Sequence, residues 1–289
     1  ADHGFEVAVS PPSSARVAGL GGERCIDEVC LPLKVFFGHV AALEADGVDT
    51  VLVPRLCSTA KGTNLCPKFH LLPDLVQAAH PGLNVLAPFV DLHHSPRRDL
   101  ARHLLDACRP VLVELGAWQG RRSRERLLRA FARSEERDAR PEPTRGRGDV
   151  TVALVGHHYA ERDRHLSLGV GRLLRRLGAR TVIAPRRLPA RPVDLEEGMY
   201  YESLVRSARA TEHHLAAGVD GVLLLTFFAC GPDSYGADTI LYRLERPGED
   251  VPVMGLILDE HTAVEGLSTR LATFVEVCRA QGRARGAAC

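Results

Sequence analysis

The chain has 289 residues, of which 45 % are hydrophobic and 25 % charged, and its formal net charge is +1. A chain of this length ordinarily divides into two domains. The small net charge gives no electrostatic basis for binding nucleic acid or a membrane surface, and no apolar run is long enough to predict a transmembrane helix. The first residues lack the basic-then-apolar pattern of a secretory signal.

Strand and helix patterns alternate in the first part of the chain. Apolar runs stopped by proline, such as residues 49–54, are typical of buried parallel strands, and apolar residues at helical spacing indicate helices. The predicted strands are residues 5–9, 49–54 and 83–87, and the predicted helices are 32–45, 73–80 and 99–107, with a short helix or turn at 13–22 and a loop at 55–72. This alternation predicts a parallel sheet with helices on both faces.

A second alternation begins after a charged helix and a segment rich in Pro, Gly and Arg. The predicted strands are residues 151–155, 181–184, 221–228 and 253–258, and the predicted helices are 166–177, 200–217, 239–244 and 264–279. The sequence therefore predicts an α/β fold with two similar domains, 1–109 and 149–289, joined by a helical linker at 110–148.

Cysteines beside prolines are the first candidate functional residues. Cys30 and Cys66 are followed by prolines within two residues, and Cys230 precedes a Gly-Pro pair. Thiols on loops at the ends of strands and helices are typical of metal ligands, whereas inert thiols more often lie inside apolar runs. Spacing alone leaves both interpretations open, with Cys57 as a further candidate ligand. Zinc fits less well, because a closed zinc site prefers close pairs of ligands.

Three other cysteines are weaker candidates for a functional role. Cys108 and Cys278 lie on predicted helices and are expected to be core residues, and Cys289 is the last residue of the chain. No glycine-rich phosphate loop and no dinucleotide-binding fingerprint is present, so we expect neither ATP hydrolysis nor dinucleotide binding by this chain.

Four further polar residues follow predicted strands. His157 and His158 come after the strand at 151–155, and Glu260 and His261 come after the strand at 253–258. Ligands of open α/β sheets bind at the carboxyl ends of the strands, so these side chains could supply acid–base groups. The alternative is that they cap turns.

Several runs in this order resemble the acyl-CoA dehydratase activase-related proteins of the 2-hydroxyacyl-CoA dehydratase and benzoyl-CoA reductase superfamily. They are CLPLKVFFGHV (30–40), VDTVLVPRL (48–56), CPKFHLLPD (66–74), GHHY (156–159), FFACGPDS (227–234) and LDEHTAVEGLSTRLATFVE (258–276). The resemblance implies two flavodoxin-like (Rossmann-like) parallel-sheet domains that face a shared cleft. It also implies a first βα unit before the residues given.

The resemblance further implies a cofactor and partners. A 4Fe–4S or related cubane iron–sulfur cluster would be held by Cys30, Cys66 and Cys230, with Cys57 either a fourth ligand or a bystander. A closed cluster suits electron transfer and an open one suits chemistry at iron. The implied partners are an ATP-dependent activase-type electron donor, an acyl-CoA substrate and a second subunit of a homo- or heterodimer, in an oxygen-poor cytoplasm.

Two functions stay open on this basis. One is low-potential electron transfer or reductive dehydration, as in an acyl-CoA dehydratase- or reductase-type enzyme component. The other is a non-catalytic cluster-binding or redox-sensing protein that supports assembly with the activase.

Overall fold

The computed structural model describes residues 6–94, 100–140, 142–188, 200–244 and 251–287, with the backbone alone for 284–287. The chain divides into two compact units. The first comprises residues 1–27, 33–138 and 200–202, and the second comprises 28–32, 139–199 and 203–289. Parallel strands alternate with helices in both units, which confirms the α/β class. The domain limits predicted from the sequence stay a prediction.

The first unit contains two small parallel sheets. Its strands are β1 (Thr50–Leu52), β2 (Arg55–Ser58), β3 (Asn84–Leu86) and β4 (Phe89–Asp91), and its helices are α1 (Ala15–Gly22), α2 (Leu31–Ala45, from residue 33 onward), α3 (Pro67–Ala79), α4 (Leu100–Glu114) and α5 (Arg121–Asp138). Strand β1 pairs with β3, and β2 pairs with β4.

Two prolines divide these sheets without interrupting the hydrogen bonding between them. Pro54 separates β1 from β2, and Pro88 separates β3 from β4. The Val53 amide donates to the Leu86 carbonyl and the Arg55 amide donates to the Pro88 carbonyl, both at 2.9 Å. The pairing therefore continues from one sheet into the other across the prolines, which cannot themselves donate a ladder hydrogen bond.

Three predicted elements of this unit are corrected. No strand forms over residues 6–9, and Phe5 lies outside the described residues. The predicted loop at 55–72 contains β2 and the start of α3, which begins at Pro67 rather than at Pro73. Proline suits the first turn of a helix, which is why the sequence predicts a helix start at Pro73. In the structure the Arg55 guanidinium donates to the His70 carbonyl and the Asp74 carboxylate, each at 2.7 Å, on either side of Pro73.

A close approach of backbones joins α1 and α2. A Cβ atom built on Gly38 would lie 1.7 Å from the Val17 carbonyl oxygen, and one built on Gly21 would lie 1.7 Å from the Lys34 carbonyl oxygen. Only glycine fits at either position, which explains a glycine in the middle of α2 where the helical pattern alone would disfavour it.

The second unit is built on a four-stranded parallel sheet. Its strands are β5 (Val150–Gly156), β6 (Ala179–Ile183), β7 (Gly221–Phe227) and β8 (Val253–Leu258), in the order β6-β5-β7-β8. Its helices are α6 (His158–Arg162), α7 (Val170–Arg176), α8 (Glu202–Ala216, from residue 203 onward), α9 (Gly231–Leu244) and α10 (Val264–Ala287). All seven residues of β7 are buried, as a continuous apolar run predicts for a central strand.

Two helices of this unit begin four or more residues away from their predicted starts, and α10 extends to Ala287, beyond its predicted end at residue 279. Helix α7 begins at Val170 rather than at residue 166, because Leu168 and Gly169 have φ angles of 49° and 71° and so cannot continue a right-handed helix. Helix α9 begins at Gly231, eight residues before its predicted start, so Cys230 directly precedes a helix. None of the helices within the described ranges has the length and apolarity needed to cross a bilayer.

Candidate metal centre

The strand order of the second unit creates a crevice between β5 and β7. From β5 the sheet extends to β6 on one side and to β7 and β8 on the other. Where the strand order reverses in this way, connections diverge at the carboxyl ends of the two strands, and open α/β sheets bind ligands there. Because β5 ends at Gly156 and β7 ends at Phe227, the residues that follow, His157 and Ala229 to Cys230, occupy this edge.

Three potential metal ligands meet at this edge. One ligand atom from each of His157, Cys230 and Asp233 lies within 4.8 Å of the other two. His157 Nε2 lies 2.8 Å from Asp233 Oδ1, and the two side chains are 11 % and 7 % exposed. Despite this short distance the ring is not aligned as a hydrogen-bond donor, and His157 Nε2 and Asp233 Oδ2 are buried without a hydrogen-bond partner.

Buried polar atoms without partners are rare in folded proteins and call for an explanation. A metal ion bound to these atoms and to the Cys230 thiolate would supply one, since nitrogen, sulfur and carboxylate oxygen are the ligands of zinc and of first-row transition metals.

The turn after β7 positions two of the three ligands. Ala229 has a φ of 60°, in the left-handed region that disfavours residues with a Cβ atom. The Cys230 amide donates to the Phe227 carbonyl at 3.1 Å, and the Ser234 amide and hydroxyl both donate to the Cys230 carbonyl at 3.0 Å. Helix α9 then places Asp233 in its first turn, where a carboxylate is favoured by the helix dipole.

His157 is fixed by stacking rather than by capping. Its ring stacks on Tyr159 with centroids 4.7 Å apart and an interplanar angle of 11°, and Tyr159 in turn contacts Phe227. His157 occupies the N-cap position of α6 but makes no side-chain capping hydrogen bond. The imidazole is therefore available to the crevice.

A buried ion-pair cluster holds the end of β5 in place. The Glu161 side chain is fully buried and accepts from Arg206 at 2.7 and 2.9 Å and from Arg162 at 2.6 Å. Arg206 also donates to the Gly156 carbonyl at 2.7 Å, and the Gly156 amide donates to Glu161 at 3.2 Å. These contacts fix the backbone from which His157 follows. Sequence analysis missed the pair between Glu161 and Arg206, because no spacing rule links a glutamate on α6 with an arginine on α8.

His158 has a different environment from His157. Its Nδ1 lies 3.3 Å from Arg162 Nη1. Burial, together with the positive charges of Arg206 and Arg162, lowers the pKa of His158 to about 3. The imidazole is therefore neutral near neutral pH and serves as an acceptor for Arg162 instead of carrying a proton.

The candidates after β8 form an exposed turn. Asp259 Oδ1 accepts from the His261 amide at 2.9 Å and from the Thr262 hydroxyl at 2.8 Å. The His261 side chain is 86 % exposed, and its Nε2 lies 4.0 Å from a Glu260 carboxylate oxygen. The structure does not bring Glu260 or His261 into the group formed by His157, Cys230 and Asp233.

The three thiols predicted as cluster ligands share one local position. Cys30, Cys66 and Cys230 each directly precede the first residue of a helix, namely α2, α3 and α9. Cys30 and Cys230 are buried and belong to the second unit, whereas Cys66 is half-buried and belongs to the first.

Cys57 lies on a strand rather than at a helix start. Its carbonyl accepts from the Leu65 amide at 2.8 Å, which ties β2 to the residue before Cys66. Burial raises the pKa of the Cys57 thiol, and the nearby Asp91 carboxylate raises it further against the opposing effect of Arg55. The thiolate form that binds metal is therefore disfavoured at Cys57.

The other cysteines show no metal-site geometry. Cys278 is fully buried on α10, as predicted for a core residue, and Cys108 is half-buried on α4. None of the seven cysteines within the described ranges forms a disulfide, and Cys289 lies outside those ranges.

Asp233 is the site residue that sequence analysis did not single out. It lies three residues after Cys230, a spacing that places both on one side of a helical first turn. The sequence does not reveal this relationship, because the predicted helix begins only at residue 239. A helix start at Gly231, with Pro232 in the first turn, would have indicated it.

Fold and site together define an α/β protein with a candidate metal centre at the carboxyl edge of a parallel sheet. Residues 1–185 match the model of the family described as CoA enzyme activase uncharacterised domain (DUF2229). The match spans more than half of the chain, so the chain belongs to this family. This membership confirms the predicted relationship to activase-related proteins of CoA enzymes. Cys30, Cys57, Cys66 and His157 fall within the matched residues, and Cys230 lies beyond them. A comparison with curated proteins finds no match.

Proposed function

We propose that this chain is a metal-binding redox component of an acyl-CoA dehydratase- or reductase-type system, and that Cys30, Cys66 and Cys230 hold an iron–sulfur cluster in it. The observation that carries the proposal is the surroundings of Cys230, where two buried polar atoms, His157 Nε2 and Asp233 Oδ2, lack hydrogen-bond partners. Membership of a family related to CoA enzyme activases supports the acyl-CoA context. An ATP-dependent partner as electron donor, two flavodoxin-like domains and a cytoplasmic location belong to the same proposal.

The local structure of the three thiols fits a cluster. The first backbone N–H groups of a helix have no partner within the helix, so a thiolate or sulfide next to a helix start finds hydrogen-bond donors there. Such hydrogen bonds to sulfur, together with burial, set the reduction potential of a cluster. All three thiols directly precede helices, and two of them are buried.

Cys57 fits the cluster less well than the other three. It lies on a strand, and its raised pKa disfavours the thiolate. We therefore propose that Cys57 is a bystander and that three thiolates leave one iron open. When bound, such a cluster supplies low-potential electrons or a Lewis-acidic iron.

A second candidate function follows from the short distances between the three potential metal ligands of the second unit. His157, Cys230 and Asp233 can hold a single divalent ion with three protein ligands and an open position, which is the arrangement of catalytic zinc and non-haem iron sites. Cys30 and Cys66 would then have no role in metal binding. A cluster with a purely structural or redox-sensing role is the remaining alternative.

Metal analysis of protein purified without oxygen distinguishes these functions. For the cluster we expect about four irons with matching acid-labile sulfide per chain, and an electron paramagnetic resonance signal after dithionite reduction. Cys66→Ala and Cys230→Ala should each abolish the signal, whereas Cys108→Ala, a change in a half-buried thiol on α4, should leave it intact. Cys57→Ala should also retain the iron.

Other results would reject the cluster. One metal ion per chain without sulfide, lost in Cys230→Ala and His157→Ala but kept in Cys66→Ala, would establish the single-ion site. Folded protein without any metal after strictly anaerobic purification would reject both candidates.

A further inference from the structure

The second unit contains a cavity of about 430 Å³ that the proposed metal centre does not use. Apolar side chains that include Leu154, Ile183 and Val264 form part of its wall. Its volume falls within the range of about 300–1,000 Å³ typical of small-molecule sites.

Arginines dominate the polar lining of this cavity. They are Arg145, Arg162, Arg164, Arg172 and Arg175. Glu161 is the single carboxylate among the described lining residues, and it already accepts from Arg162 and Arg206. Arg162 is further neutralised by Glu142 at 3.1 Å.

Among the described residues, the other four arginines have no such compensation. Within the part of the chain that the structure describes, no carboxylate forms an ion pair with Arg145, Arg164, Arg172 or Arg175. The Arg175 guanidinium donates a hydrogen bond of 3.4 Å to the Thr181 hydroxyl. Four guanidinium groups around one concavity, with no carboxylate partner among the described residues, favour a positive local field, although the net charge of the chain is only +1.

We propose that this cavity binds the diphosphate group of an organic ligand, with the apolar wall taking the organic part. Guanidinium forks match phosphate oxygens in bidentate geometry, which makes arginine the preferred residue for phosphate recognition. The concave shape and the apolar wall favour a small ligand over a nucleic acid backbone or a membrane surface. Side chains rather than backbone amides supply the donors, so no glycine-rich motif marks the site.

Titration calorimetry of the folded chain with ADP tests this inference. We expect binding that weakens with rising salt and that Arg172→Glu weakens by about tenfold or more, because a charge-assisted hydrogen bond is lost and a repulsion gained. Arg176→Glu is the matched control, since Arg176 lies on the same helix, is also exposed and does not line the cavity. It should change the affinity by no more than about twofold, as expected for a surface charge.

Inorganic pyrophosphate should bind more weakly than ADP, because it cannot use the apolar wall. If Arg172→Glu fails to fold, judged by circular dichroism, Arg164→Glu replaces it. Absence of ADP binding at millimolar concentration, equal effects of the Arg172 and Arg176 substitutions, or pyrophosphate binding as tight as that of ADP would overturn the proposal. Metal content is measured separately, so this inference can fail without affecting the proposed metal centre.

Discussion

At the scale of single residues, His214 links the stability of the second unit to pH. It is buried on α8, and its Nε2 has no hydrogen-bond partner. Burial, with smaller contributions from His213 and Arg206, lowers the pKa of His214 to about 4. In the unfolded chain a histidine has a pKa of about 6.5, so between these values the unfolded state binds more protons than the folded state. The stability due to neutral His214 is complete above the upper value and is lost as the pH falls through this window.

Replacing this side chain should flatten the pH dependence. We expect His214→Leu to reduce the slope of unfolding free energy against pH by about 1 kcal/mol per pH unit near pH 5, because one differential proton is removed. It should also stabilise the protein at neutral pH, since a buried atom without a partner is replaced by an apolar group.

Urea unfolding at several pH values measures both effects. His213→Leu changes the exposed neighbour and should leave the slope nearly unchanged. A His214→Leu protein with the slope of the parent protein would show that other groups control the acid response.

Ala229 offers a second test at this scale. Its φ of 60° places the residue in the left-handed region of backbone conformation. A residue with a Cβ atom pays about 1–2 kcal/mol to adopt this conformation. Ala229→Gly should therefore raise the free energy of unfolding by about 1 kcal/mol, after allowing for the greater freedom of glycine in the unfolded chain.

Ala237→Gly provides the comparison within α9, where a glycine should instead cost about 0.5–1 kcal/mol. Thermal or denaturant unfolding of both variants measures the difference. Equal destabilisation by the two substitutions would show that the turn at Ala229 relaxes to an ordinary backbone conformation.

At the scale of elements, the crossing of α1 and α2 depends on two glycines. Gly38→Ala would place a methyl group against the Val17 carbonyl, so the helices must separate. We expect a loss of at least about 2 kcal/mol of unfolding free energy, because the obstructing atoms belong to the backbone and cannot rotate away. Denaturant titration measures this loss.

Gly19→Ala is a control of the same chemistry on α1. A Cβ atom at Gly19 would meet nothing within 4 Å. Alanine has the higher helix propensity, so this change should stabilise by up to about 1 kcal/mol. A Gly38→Ala protein as stable as the parent protein would mean that α1 does not pack on α2 as described.

Element types were predictable where apolar periodicity decided them. Strand β8 has the predicted bounds, and β7 ends one residue earlier than predicted, because continuous apolar runs between turn residues leave few alternatives. The residues at which helices start were harder to predict where prolines lie nearby. Proline fits both a first helical turn and a turn outside a helix, and local sequence does not distinguish these at Pro73 and Pro232.

The candidate site was predictable in part for the same reason. His157 and Cys230 were expected at strand ends, and the rule for open α/β sheets brings strand ends together. Asp233 depended on a helix start that was misplaced, and the ion pairs of Glu161 depended on contacts between helices distant in sequence. Whether the thiols bind a cluster stays a prediction.

At the scale of the whole molecule, the net charge conceals a strong local field. The chain has 37 basic and 36 acidic residues, counting Lys with Arg and Asp with Glu, so composition alone gave no reason to expect an anion site. The cavity of the second unit nevertheless gathers four arginines without ion-pair partners among the described residues. Total charge therefore describes solubility better than it describes ligands.

The strand pairing that continues across Pro54 and Pro88 has a consequence for the local opening of the first unit. Backbone hydrogen bonds at Val53 and Arg55 continue the pairing past Pro54, so we expect β1 and β2 to separate from their partners together. Amide protons on both sides of Pro54 should exchange with solvent deuterium in one cooperative event rather than in two. The loop from Thr59 to Cys66 follows the end of β2. Because the Leu65 amide donates to the Cys57 carbonyl, we expect this loop to open in the same event.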